Sequence, residues 1–576
     1  MPSSPDAVRR YHDGTKHNFR QFARSLGYLD WASQPNPFRS FDGAPVFPLF
    51  PAAAADGSLY APRAILYDRL FEPSDRVEPI GAEAIGDLLR HALGLSAWKQ
   101  IRREPVGSRW SLRCNPSSGN LHPTEAYVAT RAVAALAGVP AVYHYAADRH
   151  ALELRCAIDQ ISWADASSGL DDLLLVALTS IHWRESWKYG ERAFRYCQHD
   201  LGHAVAALVA SAAAIGWRAR LLPAWSHRAI AALTGIDRDE DFADVEREEP
   251  ECVLAIGPNA AGPIEYAADR FATMAKAGVW SGRASQLSQD HVQWTFIDEI
   301  ARATEDPGTA AAQTGERLRP CRAGRRPFDA AQGRPEPVEG RGISESSRRG
   351  WGSARALFLQ RRSAVAFDGQ SSIDRDAFFA MLAAVMPDDR PPWDALWWRP
   401  RVHLALFVHR VDAVAPGLYL LPRDPAALAP LRAAMGREFL WEPASDEPPL
   451  VCLAKGDSRA LASRLSCDQA IAADGFFSLG MVAEFDASLD EHGPSFYRQL
   501  FWETGFIGQL LYLEAEAAGA RATGIGCFYD DPVHDVLGLH GHAFQSLYHF
   551  SVGAPVEDTR LTTLPGYPWE MDHLVI

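Results

Sequence analysis

The sequence predicts an α+β protein in which two similar halves are joined in one chain. Three observations lead there. A long helical segment occurs twice, shorter pairs of segments recur in the same order, and a stretch of different composition separates the two series.

The strongest repeat aligns without gaps at an offset of 303: FRYCQHDLGHAVAALVASAAAIGWRA from Phe194 and YRQLFWETGFIGQLLYLEAEAAGARA from Tyr497. Identities fall at Arg195/Arg498, Gly202/Gly505, Leu208/Leu511, Gly216/Gly519, Arg218/Arg521 and Ala219/Ala522, and Asp200 stands opposite Glu503. Apolar or small residues recur at helical spacing and a glycine follows near each end, so both segments read as long helices. Gly202 and Gly505 weaken a helix interior, which points to close packing against a neighbouring backbone. A shorter pair aligns QPNPFRSFDG from Gln34 with QRRSAVAFDG from Gln360, and a third aligns the predicted strands AVYHY from Ala141 and GLYLL from Gly417. Between the two series, residues 305–349 are rich in Arg, Gly, Pro, Ala, Gln and Ser and lack apolar periodicity, which predicts a mobile linker or insertion. The expected division is a first half over residues 1–300, this linker over 305–349, and a second half over 352–576. Helices packed around mixed sheets are expected in each half.

Bulk properties narrow the function. Length alone favours three or four units of about 100–200 residues, whereas the repeats favour two. Hydrophobic residues make up 47% and charged residues 22% of the 576, an ordinary globular balance. The net charge of −15 disfavours nucleic acid as a partner, because phosphate backbones need a basic face. None of the eight cysteines forms a C-x-x-C pair, so no metal site is expected. His199 and His203 stand four apart on the predicted helix without a third ligand. The N-terminal stretch carries no apolar signal region, and the longest apolar run, residues 204–215, is shorter than the roughly 20 residues a membrane span needs. A cytoplasmic protein with no membrane contact is expected.

Five segments carry chemistry: RRSAVAFDG from Arg361, NPSSGNLHPTEAYV from Asn115, GIGCFYDDPVHDVLGL from Gly524, WKYGERAFRYC from Trp187, and the opening YHDGTKHNFRQFARSLGYLDWASQPNPF. Together they resemble the flavin-binding segments of the nitroreductase superfamily and, within it, the SagB-type (ThcOx) dehydrogenases. The resemblance implies FMN as cofactor and an intrachain pseudo-dimer of two nitroreductase-like halves, compatible with a functional monomer. Arg361, Arg362 and Ser363 supply forked donors and a hydroxyl for a phosphate. Pro116, Ser117, Ser118 and Asn120 form a turn that the resemblance lays against the flavin ring. Gly524, Ile525, Gly526 and Cys527 bring backbone to the ring's reactive edge, where N–H groups stabilise charge. Arg560 falls where the family has a late basic residue near the phosphate, although its spacing is loose. Lys188 and Tyr189 match the Lys-Tyr pair implicated in removing a substrate proton. His122 is expected either to line the pocket or to bond within its own turn. No G-x-G-x-x-G follows a strand, so a separate dinucleotide domain is not indicated.

The halves differ in what they retain. Residues 34–37 lack the Arg-Arg-Ser grip of residues 361–363; Leu221, Leu222 and Pro223 replace Gly524, Ile525 and Gly526; and Trp397, Trp398, Arg399 and Pro400 stand in place of Ser117, Ser118, Gly119 and Asn120. One of the two sites expected of such a dimer keeps its components and the other loses them. The expected activity is hydride transfer to flavin from a small-molecule or modified-peptide heterocycle of azoline type. The alternatives are an NAD(P)H-dependent nitro- or quinone reductase and a non-catalytic flavin-binding subunit.

Overall fold

The computed structural model describes residues 4–49, 64–74, 77–102, 108–168, 172–258, 263–308, 353–436 and 438–570. Most of the predicted linker, residues 309–349, lies outside the described residues. Its first four do not: the Asp306 carbonyl accepts from His227 N at 2.9 Å, tying residues 305–308 to the first half.

Two long helices run through the centre, Ala193–Ala214 and Phe496–Ala517, each of 22 residues and displaced by 303 at both ends. Their apolar and small side chains cover the whole circumference, so both are buried on all sides. The helices meet at their glycines. A Cβ on Gly202 would lie 2.2 Å from the Trp502 carbonyl oxygen, and one on Gly505 would lie 2.2 Å from that of His199. Near their starts, Phe194 and Tyr497 stack with ring centroids 6.3 Å apart and planes 4° from parallel.

Each half builds a sheet with the same strand order. In the first, Ala151–Ala157, Ala141–Ala146, Thr124–Thr130, Leu174–Ser180, Glu249–Gly257 and Arg218–Leu221 are neighbours in that sequence. In the second, Leu450–Lys455, Gly417–Leu421, Val402–Val408, Phe477–Glu484, Phe544–Gly553 and Arg521–Ile525 repeat it. The central strands read as continuous apolar runs, such as LLVALTS at Leu174–Ser180, because both faces are covered. The short helices His182–Tyr189 and Phe485–His492, and His227–Thr234 and Asp530–Leu537, also correspond at an offset of 303. Mixed sheets were expected, yet every ladder among the described strands is antiparallel.

The halves exchange their ends. The late strand Leu561–Leu564 pairs with Leu95–Ile101, which in turn pairs with Arg109–Arg113. The first helix, Pro5–Gly14, packs on the second half: His12 Nδ1 lies 3.2 Å from the Tyr497 hydroxyl and its Nε2 3.0 Å from Gln545 Oε1. In the aligned segments at Gln34 and Gln360, Phe41 pairs antiparallel with Ala284 and Phe367 with Pro555. Ser363 bridges to Ala522 on the second half's edge strand, whereas Asn36 N donates to the Leu287 carbonyl. Both stretches are largely irregular chain, where neither helical nor strand period fixes an alignment.

Candidate active site

A cavity of about 460 Å³ lies at the junction of the halves, within the range of small-molecule and cofactor sites. The first half supplies the turn of residues 115–122. Gly119, Asn120 and His122 all have left-handed φ of 52–61°, a backbone shape that must be held by its surroundings. Asp200, on the first central helix, accepts from Ser118 N at 2.9 Å and from Ser118 Oγ at 3.0 Å. Asn120 donates to the Ser111 carbonyl at 2.8 Å, and Ser117 Oγ accepts from His122 N at 2.7 Å. His122 lines the cavity and also bonds within its turn, its Nε2 3.0 Å from Asn120 Oδ1.

The second half supplies the facing wall. Arg361 reaches across the junction, donating to the carbonyls of Cys114 at 2.9 Å and Arg113 at 3.1 Å. Its Nη1 is buried and makes no hydrogen bond. Arg362 also crosses, to Ser96 Oγ and the Ser96 carbonyl, both at 3.1 Å. Ser363 Oγ sits 2.9 Å from the Tyr512 hydroxyl, which accepts from Gly524 N at 2.9 Å. Thus the Arg-Arg-Ser segment is pinned beside the strand that ends in Gly524 and Ile525. Gly524, Ile525, Gly526 and Cys527 line the cavity, as do Pro116, Ser117, Ser118 and Asn120.

Cations gather at this end. Among the described residues neither the Arg361 nor the Arg362 side chain pairs with a carboxylate. Burial, and then repulsion from Arg361, pulls the Arg362 guanidinium down to about 10. Lys99 and Arg521 stand in the same wall, the latter held by Glu557. Two adjacent guanidiniums, Arg361 buried with a free N–H and Arg362 half-buried, form a receptor for an anion.

At the opposite end, Tyr189 lines the cavity and Lys188 stands exposed beside it, its Nζ 5.2 Å from the Tyr189 ring centre. Both tips converge on the turn. A Cβ on Gly119 would lie 2.6 Å from the Tyr189 hydroxyl and 3.1 Å from Lys188 Nζ. Burial, reinforced by Glu185, holds the Tyr189 hydroxyl well above its usual range, so it keeps its proton. Behind the turn, Asp200 is pushed up to about 7 by burial. Glu185, equally buried, is raised by burial and by the neighbouring Asp200.

Arg560 is placed elsewhere. Its side chain is 83% exposed and pairs with Asp558 at 2.7 Å, outside the cavity lining. The residues that sequence reasoning missed are Lys99, Tyr196, Asp200, His203, Tyr512, Arg521 and Tyr548. Asp200 carried a signal, an acid facing Glu503 in the repeat; the tyrosines carried none. His203 lines the cavity, while His199 bonds Thr504 at 2.9 Å and stacks on Tyr548. Structure also gathers His17, Cys467 and Cys527 at the cavity edge, a cluster that no local spacing announces.

The counterpart region of the second half is filled. Trp398 Nε1 donates to Glu503, the counterpart of Asp200, at 3.1 Å, and Trp393 lies under Arg423 at 4.6 Å. The void left among Trp393, Trp398, Arg423 and Glu503 is about 10 Å³, room for no more than a water. Arg218 of the first half closes on Asp394 at 2.9 Å.

No family model matches this sequence, and no curated protein matches it. Solved structures do. One is a crystal structure from Anabaena variabilis of a protein provisionally named a nitroreductase: 20% identity, TM-score 0.64, covering 96% of this chain and all of that one. A provisionally named nitroreductase from Ralstonia eutropha matches at 18% identity and TM-score 0.25 over 41% of this chain and 98% of its own. The E. coli microcin synthetase McbBCD complex with truncated pro-MccB17 matches at 18% and 0.24 over 45% of this chain and 83% of that one. The last two scores carry no argument. The among-described helices include none long and apolar enough to cross a membrane. The first likeness runs the length of both chains and shows the fold; with the repeated sheets and helices it gives two nitroreductase-like halves forming an intrachain pseudo-dimer, with an open cavity at their junction.

Proposed function

We propose that the chain is an FMN-dependent oxidoreductase with one flavin site, drawn from both halves. The observation that carries this reading is the convergence of segments 115–122, 361–363 and 524–527 on one cavity, while the equivalent region is filled with tryptophan. The lining fits the cofactor's chemistry. Arg361 and Arg362, with a buried N–H free on Arg361, would hold the phosphate, helped by Ser363. Pro116, Ser117, Ser118 and Asn120 would lie along the ring, with the backbone of Gly524, Ile525, Gly526 and Cys527 at its edge. Arg560 is not given a part; Arg521 and Lys99 replace it as the additional cations.

When bound, FMN supplies a two-electron acceptor for hydride. This chain's residues then position the substrate and manage its proton. Lys188 and Tyr189 meet at Gly119, at the mouth of the turn. Tyr189 keeps its proton and serves as a donor that orients substrate, and Lys188, once its amine is deprotonated, would accept the proton released as hydride departs. This supports the SagB-type reading, dehydrogenation of an azoline-type ring in a small molecule or modified peptide, over a nicotinamide-dependent nitro- or quinone reductase, which needs no base at that place. Anaerobic spectroscopy of the FMN-loaded protein tests it. Bleaching by an azoline-containing peptide and recolouring by dioxygen is the expected result; bleaching by NAD(P)H alone would assign the reductase, and a flavin inert to both would assign a binding subunit.

A further inference from the structure

Cys467 and Cys527 come from distant parts of the second half. Cys467 follows the helix Arg459–Leu465 in a left-handed turn with φ 56°, and Cys527 follows the strand Arg521–Ile525. Their sulfurs are 2.9 Å apart, and His17 Nδ1, carried in by the exchanged N-terminal segment, stands 3.7 Å from Cys527 Sγ. The other described cysteines, Cys114, Cys156, Cys197, Cys252 and Cys452, are buried; these two are partly exposed. Cys527 lines the cavity together with Gln469, whose amide donates to the Cys527 carbonyl at 3.0 Å.

We propose that Cys467 and Cys527 are a redox-active pair that exchanges with small-molecule disulfides and closes to a reversible intrachain disulfide. Charge prepares the two sulfurs differently. The contact with Cys467, aided by His17 and Arg192, pulls the Cys527 thiol down to about 5, while the same contact and burial push Cys467 up. Cys527 is therefore the attacking thiolate and Cys467 the resolving thiol. In the first step the Cys527 thiolate attacks one sulfur of R–S–S–R; that S–S bond breaks, R–S⁻ leaves, and a mixed disulfide forms on Cys527. In the second, Cys467 loses its proton and its thiolate attacks Cys527 Sγ, expelling the second R–S⁻. The pair gives up two electrons and the Cys467 proton, and the two expelled R–S⁻ become thiols by taking up that proton and one from water.

A shared zinc ion fits less well. Two thiolates on one tetrahedral zinc stand about 3.8 Å apart, given Zn–S bonds of about 2.3 Å, and the cluster among the described residues offers only three ligands. The exchange needs no flavin, so it stands or falls apart from the proposed cofactor.

Apoprotein equilibrated with mixtures of reduced and oxidised glutathione, alkylated and digested under non-reducing conditions, tests the assignment. A peptide linked through Cys467 and Cys527 is expected, with two reduced glutathiones produced per link. Cys467→Ser is expected to accumulate glutathione on Cys527, and Cys527→Ser to lose both the link and the adduct on Cys467. Two alkylated thiols at these positions across the whole range would overturn the proposal, as would stoichiometric zinc in the wild type that disappears in either variant.

Discussion

At the residue scale, the two ends of the cavity make separable predictions. Arg362 touches the junction and faces the proposed phosphate, and its loss removes charge-assisted bonds worth about 1.5–3 kcal/mol. Arg362→Ala should therefore weaken FMN binding by about 10- to 150-fold, measured by fluorescence titration of apoprotein. Lys188→Ala and Tyr189→Phe should leave that affinity nearly unchanged. Instead each should slow flavin reduction by the true substrate, Lys188→Ala by about 10²- to 10⁴-fold for loss of a general base. Stopped-flow reduction at the wild-type rate in both variants would make the pair structural. The carboxyls behind the turn give a pH signature. Asp200 titrates near 7 in the folded chain, against the usual carboxylate range near 4 when unfolded. Between those values the folded state holds a proton that the unfolded state has released, so this group's contribution to stability falls as pH rises and then levels above 7. The slope is about 1.4 kcal/mol per pH unit per proton. Chemical denaturation at pH 5 and pH 8 should show this loss in the wild type and a smaller one in Asp200→Asn; equal losses would mean that Asp200 ionises normally.

At the scale of elements, the central helices hold the halves together through their glycines. Gly202→Ala would drive a methyl into the Trp502 carbonyl, backbone that cannot step aside as a side chain tip can. Overpacking of this kind costs about 1–3 kcal/mol or more, and should appear as a lowered melting temperature together with weaker FMN binding, since the cavity needs both halves in register. Unchanged melting would mean that the helices part easily at this crossing. These helices are also where the sequence was most legible. Twenty-two residues with one periodicity and paired glycines fix an alignment, and the ends agree to the residue. The strand pair at Ala141 and Gly417 was legible too, because both are apolar runs in the middle of a sheet. The pair at Gln34 and Gln360 lies in largely irregular chain, whose path is set by tertiary contacts. Arg560 misled: a late arginine after a loose spacing finds the nearest carboxylate, here Asp558, two residues away.

At the scale of the whole molecule, the two equivalent regions differ. In the open site the first half gives the turn and the second gives the arginines; in the filled one Trp393 and Trp398 occupy the space and Arg423 satisfies Glu503. The sequence showed this asymmetry as motifs kept on one side and lost on the other. It could not show the exchanged ends, because neither Leu561–Leu564 nor Pro5–Gly14 carries a local signal of the half it joins. Nor could it show His17 beside Cys527, which are 510 residues apart. The central claim, one flavin site shared by two halves, is tested most directly by the stoichiometry of FMN binding to apoprotein, from calorimetric titration against protein concentration measured by amino-acid analysis. One FMN per chain is predicted; two per chain, or none at saturating FMN, would contradict it.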